Sequence, residues 1–274
     1  MTIIIQNLIN KVCTKLIKPT SCIKLDNPKL FTYLNDRNSV YVSNLSISKA
    51  YRASIIKVGS DQDHFYNALI SAKNLDDTNT IDFKRQITSY LSNYYNKVQP
   101  KNALEWMRLS KEEAPLLEDI LPWEAPMPWS AINIEEMRSA WSKWTIIDNF
   151  QGNNKKIDIT NGHADYGPVS LSKLKIESNR LSKLYRSIKN RGYIRSNAYD
   201  GDIGAIVLVN KAGELRWIAT PGQHRLAVLT ALNYKTITVR IKRIIYEQDY
   251  KIWPNVLNGI YTEKGALKLF KSYF

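Results

Sequence analysis

Hydrophobic residues recur at helical spacing through much of the first half of the chain. Segments 61–72 and 82–97 carry such stripes, and in the second one Phe83, Ile87 and Leu91 fall on one face. Because side chains return to the same face of an α-helix every three or four residues, both segments are predicted to be amphipathic helices. Segments 102–109 and 134–144 also favour helix. Residues 45–56 fit either a strand or a short helix.

Two stretches of the first half are predicted to be irregular. Residues 121–129 contain three prolines, which remove backbone donors, so we expect no regular structure there. Trp123 lies between the first two prolines and Trp129 follows the last, and we expect both to pin the segment to a surface, as a lid or an interface. Residues 151–156, with Gly and two Asn, are typical of a loop.

The pattern is sharper after residue 160. Residues 179–189 carry a helical apolar stripe, and Gly192 follows where a left-handed helix end is expected. Two apolar runs, 205–209 and 215–219, flank a turn at 210–213 and predict a hairpin. A helix at 223–232 and an alternating strand at 236–245 complete the unit. We therefore expect an α+β fold, with a small mixed sheet and helices in residues 160–274, preceded by a mainly helical region in residues 1–150.

Composition and charge narrow the class of protein. The 274 residues are 44% hydrophobic and 23% charged, which is typical of a globular chain. The net charge is +14 and is unevenly spread. Residues 1–150 hold 18 Lys+Arg against 16 Asp+Glu, whereas residues 151–274 hold 21 against 9. The positive charge therefore belongs to the second half.

The densest basic stretch is 173–195, where Glu177 is the only acid. Its basic residues are Lys173, Lys175, Arg180, Lys183, Arg186, Lys189, Arg191 and Arg195. Such a stretch fits a phosphate-bearing partner, either a nucleic acid, a nucleotide or an anionic glycan, and it also fits an ordinary solvated helix face.

Several classes of protein are disfavoured. Cys13 and Cys22 are the only cysteines and form no C-x-x-C pair, and three histidines make a zinc cluster improbable, so no metal site is expected. No apolar run approaches the length of a membrane span. The N-terminus lacks the basic and apolar regions of a signal peptide, which indicates a cytoplasmic protein without membrane insertion.

The turn before the 223–232 helix is the best candidate for a phosphate site. Backbone N–H groups at a helix start attract phosphate, and Gly222 allows the backbone to approach it closely. His224 and Arg225 would add side-chain donors. An ordinary helix start has the same composition, so context has to decide.

Gly222-Gln-His-Arg225, the Ala/Leu-rich helix after it and the strand after that resemble the ParB/sulfiredoxin family. The upstream helix ending at Gly192 and the hairpin stand in matching order, so the resemblance covers residues 165–245, with Asn233 in place of the usual turn glycine. The resemblance implies a nucleotide-phosphate-binding domain, in which Gly222, Gln223, His224 and Arg225 hold the nucleotide, either ATP or ADP, with Mg²⁺.

The chain departs from this family in two respects. Gln223 replaces the reactive cysteine of sulfiredoxins, which excludes a sulfinic-acid reductase. The Gly-Glu-Arg-Arg run of partition proteins is absent, and no helix-turn-helix follows residue 245.

Kinase-like members of the family place a catalytic carboxylate where Glu177 lies, just before the basic helix. A general base would accept the proton of an acceptor hydroxyl, and a helix-start charge is the alternative. Arg180 and Lys173 would neutralise phosphate charge or lie on the surface. His163 and Asp165 are interpreted as structural more readily than as ligands of a metal-phosphate ion. Asp200 and Asp202 flank Gly201 and are interpreted as residues of a turn.

The leading hypothesis is a kinase acting on a hydroxyl of a small molecule or surface-glycan precursor. The Tyr166–Ser170 entry segment and the Gly-x-His-Arg loop resemble proteins of surface-polysaccharide gene clusters, which favours a sugar or amino-alcohol acceptor. The alternatives are a DNA-binding or nuclease-like protein, indicated by the C-terminal charge, and a nucleotide sensor without catalysis. Steep salt dependence would distinguish nucleic-acid binding from a saturable nucleotide site.

Overall fold

A computed structural model describes residues 21–34, 39–53, 55–75, 80–153, 156–195 and 202–274. The strands are β1 Ser21–Lys24, β2 Ser39–Ser46, β3 Ala50–Arg52, β4 Gly204–Val209, β5 Leu215–Ala219 and β6 Thr236–Tyr246. The α-helices are α1 His64–Ala72, α2 Thr80–Lys97, α3 Ala103–Met107, α4 Ile134–Asn153, α5 Leu171–Arg191, α6 Gln223–Ala231, α7 Pro254–Leu257 and α8 Glu263–Lys271. Short 3-10 helices are Pro28–Tyr33, Ile47–Lys49, Lys73–Leu75, Pro115–Leu117, Pro122–Glu124, Ile159–Asn161 and Glu247–Ile252.

The strands form one mixed sheet in the order β1-β2-β6-β4-β5-β3. β2 pairs with β6 and β4 with β5 in antiparallel fashion, whereas β1 with β2, β4 with β6 and β3 with β5 are parallel. The mixed sheet with helices confirms the α+β fold class; its ParB/sulfiredoxin character stays a prediction.

Helices cover both faces of this sheet, so two hydrophobic cores form. The first core lies between the sheet and α1, α2, α5 and α6, and includes Phe65, Leu181 and Val239. The second core packs α3, α8 and the proline-rich segment on the opposite face. Trp129 is buried there against Trp253, with ring centroids 5.4 Å apart. The expectation that residues 121–129 form a lid or an interface stays a prediction.

The sheet crosses the boundary that the sequence suggested between residues 150 and 160. β1, β2 and β3 come from the first half, where mainly helical structure was expected, and they flank the strands of the second half. The short apolar runs of 39–52 give no sign of this, because their partner strands lie far away in sequence. The division of the chain into one domain at residues 1–150 and another at residues 160–274 stays a prediction.

Most predicted elements of residues 179–245 are present, and two helices are longer than expected. α4 continues to Asn153, so the prediction of a loop from residue 151 was wrong for residues 151–153. α5 begins at Leu171 instead of residue 179, because Ser170 caps it, accepting a hydrogen bond from Lys173 N at 3.1 Å. The undecided segment 45–56 contains the end of β2, a 3-10 turn and β3.

Other predicted features have simple outcomes. Asn233 has a left-handed φ of 65°, which suits a position where a turn glycine is common. Cys22 is exposed and free, whereas Cys13 and Asp200 lie outside the described residues. Within the described ranges, no helix is both long and apolar enough to cross a membrane.

Candidate functional site

The turn that leads into α6 requires glycine at position 222. Gly222 has a φ of 102°, and a Cβ there would lie 2.8 Å from Ile203 Cγ1 and 3.1 Å from the Asp202 carbonyl oxygen. An L-residue would therefore suffer both backbone strain and a steric clash. Because the N-cap is glycine, no side chain caps the first turn of α6, whose N–H groups have the geometry that binds anions.

His224, the second residue of α6, joins a buried ionic cluster on α5. Its Nε2 lies against Oε2 of Glu177, whose other oxygen lies 2.6 Å from Lys173 Nζ. Lys173 also donates to Asn149 Oδ1 at 2.8 Å. Glu177 has no exposed surface, so its carboxylate can influence a bound ligand only through His224.

The charges of this cluster follow from its surroundings. Burial by itself would raise the pKa of Glu177, but Lys173 and His224 outweigh it and hold that pKa well below its usual range. Burial lowers the pKa of His224, and the opposing effect of Glu177 is smaller. At neutral pH the site therefore pairs a carboxylate with a neutral imidazole. A carboxylate only accepts, so Nε2 carries the proton and Nδ1 is left as an acceptor.

An aromatic ring fixes the plane of the His224 imidazole. Phe65 of α1 stacks on His224 with centroids 4.3 Å apart, and the Arg52 guanidinium covers Phe65 at 4.1 Å from its centroid. Arg52 is itself held by Asp63 at 3.4 Å and by Asp165. The first half of the chain therefore positions a side chain of the predicted phosphate turn.

The other two histidines lie in the same interior. His64 Nε2 is 2.9 Å from the Ala164 carbonyl oxygen, and His163 Nδ1 accepts from Asp165 N at 3.1 Å. Burial lowers the pKa of His163 to about 4 and that of His64 well below its usual value. In the part of the chain that is described, no three His, Cys, Asp or Glu side chains are arranged to hold a metal ion. The hydrogen bond between His163 and Asp165, and the pairing of Asp165 with Arg52, agree with a structural interpretation of these two residues.

Arg225 faces a different direction from His224. It borders a cavity of about 290 Å³ between α6 and the end of α5, which Tyr193 and Arg191 also line. Burial and Asp202 raise the pKa of Tyr193 to about 12, while Arg225 and Arg195 act against that rise. Arg225 therefore lies in a basic pocket at the start of α6.

Asp202 balances part of this positive charge. Its Oδ2 lies 2.8 Å from Arg195 Nη1 and 3.2 Å from Arg240 Nε. Asp202 is buried, and its own carbonyl lies against Gly222. The acid, which the sequence interpretation treated as part of a turn, fixes two arginines beside the phosphate turn.

The seven residues predicted for the site divide into two groups. Gly222, Gln223 and Arg225 lie at the partly exposed start of α6. His224, Glu177, Lys173 and Arg180 form or border the inner cluster, and Arg180 pairs with Asp148 at 2.8 Å. Lys173 is 2% exposed, so it neutralises Glu177 and does not reach a ligand at the surface. The expectation that Glu177 precedes the basic helix was wrong, since it lies in the second turn of α5.

Sequence reasoning missed Arg52, Phe65, Asn149 and Arg240. Arg52 follows apolar residues in β3, and Phe65 belongs to a helix stripe like any core residue. Neither pattern distinguishes a residue that contacts His224 from an ordinary packing residue. Arg240 occupies a polar position of the alternating strand β6, between Val239 and Ile241, so its place in the pattern does not distinguish it either.

Comparison of the chain with protein-family models, with curated proteins and with solved structures finds no match. The resemblance to the ParB/sulfiredoxin family therefore stays a prediction that rests on the sequence motifs.

Proposed function

We propose that the chain binds the phosphates of a nucleotide at the start of α6 and transfers a phosphoryl group to a hydroxyl of a small molecule or surface-glycan precursor. One observation carries this proposal: a neutral histidine, held by a buried carboxylate, is the second residue of a helix whose start is built to receive an anion. Arg225, in the same first turn of α6, supplies a cation and borders a cavity of about 290 Å³.

Each residue of the site has a defined role in the proposed reaction. The acceptor oxygen attacks the terminal phosphorus, the bond from phosphorus to the bridging oxygen breaks, and the shortened nucleotide leaves. His224 Nδ1 takes the hydroxyl proton, which makes His224 the general base. Arg225 and the helix N–H groups stabilise the charge on the phosphates. Glu177 is a positioning residue, because its buried carboxylate holds the imidazole by Nε2 and cannot touch an acceptor.

Magnesium was expected with the nucleotide, so the oxygen donors near the turn matter. Mg²⁺ prefers carboxylate, phosphate and water oxygens. Asp202 is the carboxylate beside Gly222, and both Arg195 and Arg240 engage it. These residues do not fit a magnesium site built by the protein.

Nucleotide binding is tested first. ATP, ADP, CTP and GTP are titrated against the protein and the midpoint of thermal unfolding is measured. At least one is expected to raise the midpoint, and Arg225→Gln is expected to weaken its apparent affinity about tenfold, the value of one charge-assisted phosphate contact. Lys235→Gln, which removes the same charge from an exposed residue beyond the far end of α6, serves as the matched control. Failure of every nucleotide to shift the midpoint would contradict the proposal.

Transfer is tested with the nucleotide that binds. Amino alcohols and sugars are offered as acceptors, and phosphorylated product is measured. His224→Asn is expected to lower the rate by about 10²–10⁴-fold, as loss of a general base does, with nucleotide affinity nearly unchanged. An unchanged rate in that variant would exclude His224 as the base. Nucleotide binding without transfer to any acceptor would favour the sensor hypothesis.

A further inference from the structure

Arg52, the last residue of β3, is a buried charge that the proposed reaction does not use. Its guanidinium lies between two buried acids: Nη1 is 3.4 Å from Asp63 Oδ1, and Nη2 lies against Oδ1 of Asp165. Burial by itself would lower the pKa of Arg52, but the two carboxylates outweigh it and raise that pKa. The guanidinium is therefore held as a cation in the interior of the protein.

This guanidinium joins three segments of the chain. Arg52 ends β3, Asp63 is the N-cap of α1, and Asp165 lies in the segment that leads to α5. Asp63 also accepts a hydrogen bond from Gly59 N at 3.0 Å, so its carboxylate is fixed on both sides. Arg52 therefore determines where α1 starts, and Phe65 is the second residue of that helix.

Phe65 contacts the guanidinium and the imidazole at the same time. Its ring centroid is 4.1 Å from Cζ of Arg52 and 4.3 Å from the centroid of the His224 ring, and the two rings are inclined by 26°. Phe65 has no exposed surface, so the surrounding core leaves it little room to move. The position of Arg52 is thus passed to His224 through this ring.

His224 needs such a contact to have one orientation. The torsion that turns an imidazole about its Cβ–Cγ bond has broad preferences, so it is not fixed by the side chain itself. Glu177 holds Nε2, and a contact at one ring atom allows the ring to turn about that atom. The face of Phe65 adds a second contact, against the plane of the ring. Together the two contacts leave Nδ1 in one position.

The choice of arginine at position 52 favours a role beyond stability. Apolar residues of similar volume often replace buried ion pairs without loss of stability. Lysine would keep the charge, but only the planar guanidinium can pair with two acids while its face covers a ring. The arrangement therefore fits a requirement for a fixed Phe65 ring better than a requirement for stability alone.

From these contacts we infer that Arg52 and Phe65 are positioning residues of the proposed base, and that they hold the His224 imidazole in the orientation that presents Nδ1 to an acceptor hydroxyl. The inference rests on the proposed function, since it concerns residues behind the same site. Both residues are buried and touch no ligand. They therefore act on the rate of transfer and not on the affinity for the nucleotide.

The orientation of His224 is tested by NMR of the full chain labelled with ¹⁵N-histidine at pH 7.5. The chain has three histidines, and loss of one set of ring signals in His224→Asn assigns that set. In the parent we expect one sharp pair of ring ¹⁵N signals, with Nε2 protonated. Phe65→Leu removes the flat ring and keeps an apolar side chain, so both signals should broaden or move toward each other as the imidazole exchanges between orientations.

Phe83→Leu is the matched control, because Phe83 is equally buried in the first core and contacts Tyr185. It should lose a similar amount of thermal stability and leave the His224 signals as in the parent. Arg52→Lys keeps the charge without the planar group, and its His224 signals are expected to lie between those of the parent and of Phe65→Leu. The inference is overturned if Phe65→Leu leaves the signals sharp and unshifted, or if Phe83→Leu changes them equally.

Transfer is measured with the same variants. Phe65→Leu is expected to lower kcat about 10–100-fold and to leave KM for the nucleotide within about twofold, because a misplaced reacting group affects the chemical step. A raised KM with unchanged kcat would also overturn the inference. A parent protein that transfers no phosphoryl group would contradict the proposed function, whereas the NMR signals would still decide whether Phe65 and Arg52 orient His224.

Discussion

At the scale of single residues, Lys173 and Glu177 show how one ion pair can shape a site without touching a ligand. Both are buried and lie one turn apart on α5, with Nζ and Oε1 2.6 Å apart. Removing one partner of such a pair leaves an uncompensated charge inside the protein, which is much more costly than loss of the attraction itself.

Lys173→Met is therefore expected to reduce the free energy of unfolding by about 3–5 kcal/mol, because Glu177 loses its cation while remaining buried. The measurement is urea unfolding followed by circular dichroism. Lys175→Met, an exposed position two residues further along the same helix, should change the free energy by about 0.5 kcal/mol or less. Equal, small effects of both substitutions would contradict the buried-pair description.

The sequence was informative about which residues matter at this scale, but not about their contacts. It selected His224, Glu177 and Lys173, and the structure brings all three together. Because the helix was expected to start at residue 179, Lys173 and Glu177 were placed outside it, and their i, i+4 spacing did not indicate an ion pair. The contact between His224 and Glu177 joins two helices, which no local pattern can indicate.

At the scale of elements, the difference at α5 has a definite cause. Its apolar stripe was recognised from Leu181 onward, whereas in the first two turns the buried apolar Leu174 and Ile176 stand among buried polar residues, chiefly Lys173 and Glu177. Ser170 starts the helix, since its Oγ accepts from Lys173 N and lies 3.0 Å from Asn161 Oδ1. A capping serine therefore sets the position of both buried charges.

Ser170→Ala should lower the free energy of unfolding by about 1 kcal/mol, the usual effect of losing a helix N-cap. Ser172→Ala, inside the first turn of the same helix, is the control and should have almost no effect, since alanine is a good helix former. Ser170→Asp should retain most of the stability, because a carboxylate caps as well. Urea midpoints of the three variants decide the matter; identical midpoints for Ser170→Ala and Ser172→Ala would refute the cap.

Elements formed by neighbouring residues were predicted well, and those formed by distant partners were not. The β4–β5 hairpin, α6 and β6 follow one another closely and carry clear periodicity. β2 and β3 pair with β6 and β5, which follow almost at the other end of the chain. A strand whose partner is so distant looks like any short apolar run.

At the scale of the whole molecule, the buried histidines make the fold sensitive to acid. The folded pKa of His163, about 4, lies below the value near 6.5 of an unfolded histidine, so the unfolded chain binds the proton more readily. Its stabilising effect is complete above pH 6.5 and is lost as the pH falls toward 4. Glu177 also makes the fold less stable in acid, but at lower pH. Because its folded pKa lies below the usual value of about 4.5, its stabilising effect is present above that pH and is lost as the pH falls further.

Lowering the pH from 7.5 to 4.5 is therefore expected to reduce the free energy of unfolding, with about 2.5 kcal/mol attributable to His163. Urea unfolding at several pH values measures the loss. His163→Gln removes the titrating group, so its stability should depend less steeply on pH over this range. A parent protein with constant stability from pH 7.5 to 4.5 would rule out the buried neutral histidines.

The interleaved sheet has a consequence for how the chain is made. β2 and β3 are synthesised long before β6 and β5, so on the ribosome their edges have no partner until nearly the whole chain has emerged. Folds with such high contact order close slowly, and unpaired strand edges are prone to aggregation meanwhile. The nascent first half is therefore exposed to aggregation until its partner strands follow, and the Phe65 ring can stack on His224 only after the second half has been made.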